Sequence, residues 1–379
     1  MIALKEFLQN KGEAYSNIDI ERMPHFWSEC AYLFSPPPIV QVIGTNGKGS
    51  AGRILAEFCR SKGIRVAHYS SPHITRFNER FWLDGADASD AALEEAHKRT
   101  LSKIGFKRAD SLSYFEYATI LAIELFSDRD LAVMEAGLGG EYDATSVFPC
   151  VLLLVTPIDY DHQHILGSSI EAIAETKLKA MRSTTILAKQ KYAIVYEIAE
   201  HIAEQKGQKL FKARDLAPTF DHFETKESPR FMAINRQLAF AAASYLGYNP
   251  SVAPFRINPM PARLSAIAPN IRVDVGHNAA AALAILEEYR GRQVTLIYNS
   301  FSDKDYKAIL RILKPIVKRC LVIRLDHARA ASREAIAAAL ENEKIEWSEF
   351  DGAISDSETY LVFGGFSVVE TFLKAWNAR

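Results

Sequence analysis

The segment that most restricts the fold of this chain is Ile39-Val40-Gln41-Val42-Ile43-Gly44-Thr45-Asn46-Gly47-Lys48-Gly49-Ser50. A short β-rich run, entered from three prolines, passes through a glycine-rich turn into a stretch with Ala51, Ile54, Leu55, Phe58 and Cys59 at helical spacing. Glycines let successive backbone N–H groups turn toward one anion, and the helix N-terminus adds the positive end of its dipole. Lys48 supplies a point charge suited to a β- or γ-phosphate. Ser50 opens the helix, where its hydroxyl could meet a phosphate or Mg²⁺. The pattern is not the strict G-x-x-x-x-G-K-[ST], because Val42 stands at its first glycine and Gly49 separates Lys48 from Ser50. A glycine-rich turn with Ser50 as a helix cap is the plain structural alternative.

The same alternation continues along the chain. Gly63 ends the first helix and Ile64 to Tyr69 reads as the next strand. Tyr114 to Phe126 suits a helix, Leu131 to Met134 and Val151 to Val155 suit buried strands, and a helix opens at Leu166 and runs through Lys177. Further on, strands are expected at 272–275, 294–298, 321–323 and 361–363. Helices are expected at 279–289, near 306–313, after Ser332 and at 368–376. Strand–helix alternation implies mostly parallel sheets covered on both faces. A chain of 379 residues is too long for one compact domain and suits two. Prolines 250, 254, 259 and 261 cannot continue a helix or a central strand, so the boundary is expected there, giving residues 1–250 and 255–379. Two such domains joined by a hinge suggest a cleft that closes over ligands.

Composition removes several classes of function. The net charge of -1 gives no electrostatic reason to expect nucleic acid or an anionic membrane as partner. The four cysteines form no C-x-x-C pair, which argues against a disulfide framework or thiolate zinc and fits a reducing compartment. No apolar run is long enough to span a bilayer, and the N-terminus mixes charges with apolar residues unlike a signal peptide. The expected location is the cytoplasm.

Polar residues at strand exits are the candidates for chemistry. Glu135 ends a β-rich run beside the phosphate loop, where doubly wound sheets bind ligands, and its hard oxygens suit Mg²⁺. His162 follows another strand exit, with His164 as a rival two positions on. Phe115 could stack on a flat ring and Asp143 could accept its N–H groups, although a phenylalanine on that helix is equally a core residue. Asp274, His277 and Asn278 follow the first strand of the smaller part; Asn278 as a helix cap and a solvated His277 form the structural alternative.

The phosphate loop resembles the G-T-N-G-K-G-S variant of the Mur ligase superfamily. Tyr69-Ser70-Ser71-Pro72-His73 and Arg76-Phe77-Asn78-Glu79-Arg80 resemble the S-S-P-H…E-R segment of folylpolyglutamate and dihydrofolate synthases. The match continues in order. Leu112 to Tyr117 resembles T-x-F-E, and Glu135 to Gly140 with Asp143-Ala144-Thr145 resembles E-V-G-L-G-G-R-L-D-A-T-N. Asp161-His162, Lys177, Arg263, Asp274 to Asn278, Asp303-Lys304-Asp305 and Gly364 to Ser367 complete the series. It runs from about residue 15 to the C-terminus.

The resemblance implies a P-loop, doubly wound, mostly parallel α/β domain that binds ATP and folate (1–250). It also implies a smaller Rossmann-like α/β domain for glutamate ligation (255–379). The implied reaction is ATP-dependent amide ligation of L-glutamate to dihydropteroate or a reduced folate through an acyl phosphate, with Mg²⁺ and in a monomer. The implied ATP contacts are Thr45, Asn46, Gly47, Lys48, Gly49, Ser50, Arg263 and Asp274. Magnesium falls to Ser71, Glu135 and His162, and the folate contacts to Pro72, Ser113, Phe115, Tyr142, Asp143 and Ala144. Lys48, Lys177 and His277 are the implied catalytic residues, with Lys177 at the position of a carbamylated lysine and Lys179 as a second candidate. Several positions depart from the family. Glu141-Tyr142 replace Arg-Leu, Ser146 replaces Asn, and Leu178-Lys179 replace Ala-Gly. The N-A-A-x-A-L helix reads here near Arg236 to Ala243, leaving its ATP-contacting asparagine unmatched, although Asn235 and Gln237 are close. Alternatives are a P-loop phosphotransferase, a nucleotide-binding module without ligation, and a peptidoglycan Mur ligase, which the S-S-P-H and F-E segments disfavour.

Overall fold

The computed structural model describes residues 2–12, 19–225 and 228–378. The first few residues of the resembling stretch, 15–18, lie outside them. The chain divides into two compact units, one made of Met1–Phe223 with Ala233–Ile257 and the other of Glu224–Met232 with Asn258–Arg379. Both are α/β.

In the first unit, strands β1 (Ile39–Ile43), β2 (Val66–Tyr69), β3 (Phe81–Leu83), β4 (Ala86–Asp87), β5 (Leu131–Glu135), β6 (Leu152–Val155), β7 (Thr185–Leu187) and β8 (Leu210–Lys212) form one sheet. Its order is β4-β3-β2-β5-β1-β6-β7-β8. All neighbours from β2 to β8 are parallel, and only the β2–β3 and β3–β4 pairs, at one edge, are antiparallel. β1, β2, β5 and β6 are buried at every position, as mostly apolar central strands are when helices cover both faces. The helices are α1 (Leu4–Asn10), α2 (Arg22–Cys30), α3 (Lys48–Ser61), α4 (Asp90–Ile104), α5 (Phe106–Ser111), α6 (Tyr114–Leu125), α7 (Gln163–Leu166), α8 (Ile170–Leu178), α9 (Ala193–Gln205), α10 (Ala213–Leu216) and α11 (Met232–Tyr245). One core joins α1, α2, α4 and α6 to the sheet, and a second joins α8 and α9 to it.

In the second unit, β9 (Ser265–Ala268), β10 (Ile271–Asp274), β11 (Val294–Tyr298), β12 (Val317–Val322), β13 (Trp347–Glu349) and β14 (Tyr360–Phe363) are ordered β13-β12-β11-β14-β10-β9. Only β9 is antiparallel. Helices α12 (Ala279–Glu288), α13 (Tyr306–Leu313), α14 (Arg333–Asn342) and α15 (Phe366–Asn377) accompany it. Among the described residues no helix is long and apolar enough to cross a membrane.

Two details differ from the sequence reading. The helix expected from Leu166 through Lys177 is two helices, α7 and α8, because Gly167 takes φ +107° and Ser169 caps the second through a bond from the Ala172 N–H. The first unit also continues past residue 250 to Ile257, and residues 224–232 belong with the second unit. Phe255 explains the first of these shifts. It is fully buried, stacked on Phe58 with ring centroids 4.7 Å apart and packed on Phe240 at 5.2 Å.

Arg236 fastens both places where the chain leaves the first unit. Its Nη1 donates to the Phe223 carbonyl at 2.8 Å, and Nε and Nη2 donate to the Ile257 carbonyl at 3.1 and 3.0 Å. The side chain is fully buried; burial lowers its pKa to about 10, which leaves it charged at neutral pH. Arg236→Met strands both carbonyls and is expected to destabilise the first unit by about 2–4 kcal/mol in urea unfolding. A loss below about 0.5 kcal/mol would show that the guanidinium is not a fastener.

Candidate active site

The strand register sets the site. Val42 of β1 lies beside Glu135 of β5, and Ile43 lies beside Val155 of β6. The three central strands therefore end level, and the loops that follow them emerge side by side at the carboxyl edge, where open parallel sheets bind ligands.

The first loop is held from below. Thr45 N–H donates to the Pro157 carbonyl at 3.0 Å, while its hydroxyl donates to the Asp159 carbonyl at 3.0 Å and accepts from Asp159 N–H at 3.1 Å. Thr45 thus ties the glycine-rich loop to the loop after β6. Gly47 caps α3 at φ +90°, a left-handed conformation, and a Cβ there would lie 2.2 Å from Asn235 Oδ1. Asn235 of α11 therefore rests on the phosphate loop. Of the two residues named as close to the unmatched asparagine position, Asn235 is the one that lies against the loop. Gln237, the other neighbour considered, instead donates to the Pro218 carbonyl at 2.7 Å.

Charges converge on this loop. Lys177 of α8 is buried and its Nζ donates to the Gly44 carbonyl at 2.9 Å. Lys48 Nζ donates to the Thr45 carbonyl at 3.2 Å, reaches the Gly44 carbonyl at 3.5 Å and stands 4.0 Å from Glu135 Oε1. Glu135 is buried, and its Oε2 accepts from Ser71 N–H at 3.1 Å. Ser50 Oγ is buried and makes no hydrogen bond among the described residues. Such an atom at the start of α3, beside two lysines and a carboxylate, is shaped for a ligand that brings its own oxygens or cation. Burial, together with the Lys48 charge, pushes the Lys177 pKa down to about 7, against the pull of Asp161 and Asp143. Gly140 allows this packing, because a Cβ there would meet the Lys177 carbonyl at 2.2 Å. His162 takes φ +50° at the start of α7; its N–H donates to Asp161 Oδ1 at 2.9 Å and its Nε2 is 3.9 Å from the same oxygen. The side chain of the rival His164 lies outside the described residues. Lys179, the rival to Lys177, is on the surface and pairs with Glu175 at 2.9 Å.

The residues expected to hold the flat ring fall into two kinds. Ser113 caps α6, its hydroxyl accepting from Glu116 N–H at 3.3 Å, and Phe115 projects from the first turn. The Phe115 ring lies over Gly137, where a Cβ would be 2.6 Å from Cζ, and its centroid is 6.1 Å from that of Tyr69. Asp143 is buried and accepts from Leu138 N–H at 2.8 Å, Thr145 N–H at 2.9 Å and Thr145 Oγ1 at 2.6 Å. Burial raises its pKa, opposed by those bonds. Its carboxylate thus shapes the 137–145 loop from within. Ala144 is buried beside it, whereas Tyr142 is exposed and Pro72 follows Ser71 through a cis peptide bond on the surface.

In the second unit, Asp274 is buried at the end of β10 and accepts from Leu264 N–H at 2.8 Å and Gly276 N–H at 2.7 Å. Burial raises its pKa, with Arg263 foremost among the groups opposing the rise. The Arg263 guanidinium stands 5.5 Å from the Phe366 ring centroid. His277 Nδ1 lies 3.1 Å from the Val275 carbonyl. Asn278 caps α12 through a bond from Ala281 N–H at 2.9 Å, as the structural alternative held.

No family model matches the chain. The dihydrofolate synthase/folylpolyglutamate synthase of Escherichia coli (strain K12) is 30% identical over 411 residues, covering 98% of this chain and 94% of the relative. The folylpolyglutamate synthase of Lacticaseibacillus casei is 29% identical over 355 residues, 82% of each. Among solved structures, Helicobacter pylori folylpolyglutamate synthetase superposes with a TM-score of 0.79 at 36% identity, over 99% of this chain and 98% of that one. E. coli FolC in complex with DHPP and ADP gives 0.85 at 26% identity, over 100% and 98%.

The depressed pKa of Lys177 makes a pH-dependent prediction. An unfolded lysine holds its proton to about 10.4, whereas the folded one releases it near 7. Between these values the unfolded chain binds more protons, so the contribution of Lys177 to stability rises with pH across the window and is smallest below 7. The destabilisation caused by Lys177→Met should therefore be larger at pH 9 than at pH 6 in paired urea titrations. Equal destabilisation at both values would mean that Lys177 stays charged throughout.

Proposed function

The chain belongs to the dihydrofolate synthase/folylpolyglutamate synthase family of the Mur ligase-like superfamily, and on that footing we propose that it forms an amide between L-glutamate and dihydropteroate. We extend the proposal to the glutamate tail of reduced folates, with ATP converted to ADP and phosphate in both cases. The observation that carries the reading is the convergence of Lys48, Lys177 and Glu135 with the unpartnered Ser50 hydroxyl at the end of β1. The names of the E. coli relative and of the FolC complex with DHPP and ADP support it.

A carboxylate cannot accept an amine directly, because oxide would have to leave. In the proposed sequence a carboxylate oxygen of the acceptor attacks the γ-phosphorus, the bond to the ADP oxygen breaks, and an acyl phosphate forms. The glutamate amine then attacks the acyl carbon, losing a proton, and phosphate departs with the oxygen that came from the carboxylate. Loop N–H groups and Lys48 neutralise the phosphoryl oxygens during transfer. Thr45 to Ser50 cradle the phosphates. Arg263 and Asp274 are assigned to ATP, and His277 to the incoming glutamate or the catalytic centre. Ser113, Phe115, Tyr142, Asp143 and Ala144, with Pro72, are assigned to the acceptor.

Of the proposed Mg²⁺ donors Ser71, Glu135 and His162, Glu135 fits the ion best, as a hard carboxylate oxygen buried beside the loop and flanked by one lysine and one backbone N–H, whereas His162 offers a softer imidazole nitrogen. When bound there, the ion would neutralise charge on the β- and γ-phosphates. A lysine with a pKa near 7 has a substantial neutral fraction at neutral pH, the form that reacts with CO2, so Lys177 is proposed to carry the carbamate.

The reading is tested by ADP release with each substrate omitted in turn. Stoichiometric release should need both glutamate and dihydropteroate; release without glutamate would indicate a phosphotransferase, and no release a binding module. Lys48→Ala should lower turnover at least a hundredfold, roughly 3–4 kcal/mol, with the fold intact. Near wild-type turnover at saturating MgATP would remove Lys48 from the reaction. Glu135→Gln should raise the Mg²⁺ concentration needed for activity, and a rise only in the acceptor KM would overturn the metal assignment.

A further inference from the structure

The helix that carries Phe115 begins at a point gripped by two cations from the N-terminal segment. Lys11 follows α1, and its Nζ donates to the carbonyls of Ala109 at 2.8 Å, Asp110 at 3.1 Å and Leu112 at 2.7 Å. The first two belong to the last turn of α5, whose carbonyls lack helical partners, and the third immediately precedes Ser113. The ammonium also sits 4.5 Å from the Phe7 ring centroid and 5.4 Å from that of Tyr117. Phe7 is itself buried against His97, Phe106 and Tyr117, so the lysine is mounted on a fixed base. On the other side of Ser113, Arg22 Nε donates to Glu116 Oε2 at 2.6 Å. That same oxygen accepts the Ser113 N–H at 2.7 Å. Lys11 and Arg22 therefore bracket residues 113–115, one through carbonyl 112 and the other through carboxylate 116.

We propose that Lys11 and Arg22 form a two-point clamp that sets the start of α6 and holds the Phe115 ring over Gly137, making them positioning residues for the acceptor. The proposal rests on the acceptor role assigned above to Ser113 and Phe115. The phosphate loop is held by a different set of groups, Thr45, Asp159, Asn235, Lys48 and Lys177. Loosening the clamp should therefore act on one substrate and spare the other two. Charge-assisted bonds to three carbonyls and to the buried Glu116 carboxylate are strong enough for their loss to be read separately from overall unfolding. Burial lowers the Lys11 pKa to about 8, with Asp110 and Glu116 opposing and Arg22 adding to the fall, so the ammonium remains mostly charged at neutral pH.

The test uses the full-length protein with Lys11→Met and, separately, the milder Arg22→Gln, since Arg22 is partly exposed. Two readouts are taken: amide hydrogen exchange along the chain, and KM for acceptor, ATP and glutamate. The clamp predicts faster exchange confined to about residues 109–116 in either variant. It predicts an acceptor KM raised on the order of tenfold, with the other two KM values within about twofold. Unchanged exchange at 109–116, or equal rises in all three KM values, would overturn it. If the wild-type protein made no amide, the ligase reading and the acceptor role would fall, while the exchange data would still report whether Lys11 and Arg22 hold this turn.

Discussion

Lys48 and Lys177 both reach the carbonyl of Gly44, and a buried Lys177 ammonium beside the half-buried Lys48 is costly without an anion close by. Glu135 supplies part of that charge from the end of β5, and Lys177 yields by becoming a weaker base. The rest of the arrangement serves this meeting. Strand register brings Glu135 level with the loop, Gly140 lets α8 approach close enough for Lys177 to enter, and the Thr45–Asp159 bonds keep the loop from drifting away. A triphosphate would complete the neutralisation, so the site is built in a state that favours its ligand.

The acceptor side is organised differently. Its carboxylates, Glu116 and Asp143, are turned inward to backbone N–H groups and shape the surfaces that carry Phe115 and the 137–145 loop. A flat ring would thus be received mainly by an aromatic face and loop backbone, with buried acids fixing the walls. Asp274 plays a similar part in the second unit, where it receives the N–H groups of Leu264 and Gly276. Residues singled out as contacts can act instead by holding the groups that make them.

What could be read from the sequence followed periodicity and punctuation. The apolar runs at β1, β5, β6 and β11 and the glycine turn after β1 carry their own signals, and so does the parallel α/β class. β3, β4 and β13 are strands of two or three residues at or next to a sheet edge, too short to show alternation. The break between α7 and α8 rested on Gly167 and the Ser169 cap, both visible but outweighed by the apolar pattern on either side. Asn235 and Gln237 could not be told apart in an alanine-rich helix, where every frame resembles its neighbours, and only the fold puts Asn235 against Gly47. Lys11 had no signal at all, since a lysine after a short helix is ordinarily solvated, and only the fold brings it beneath the carbonyls of α5.

The central claim is that phosphate transfer and amide formation share one acyl phosphate made at the end of β1. Dihydropteroate labelled with ¹⁸O in its carboxylate, incubated with ATP and glutamate, tests it directly. One labelled oxygen should appear in the inorganic phosphate for each amide formed. Amide formation with unlabelled phosphate would contradict the account.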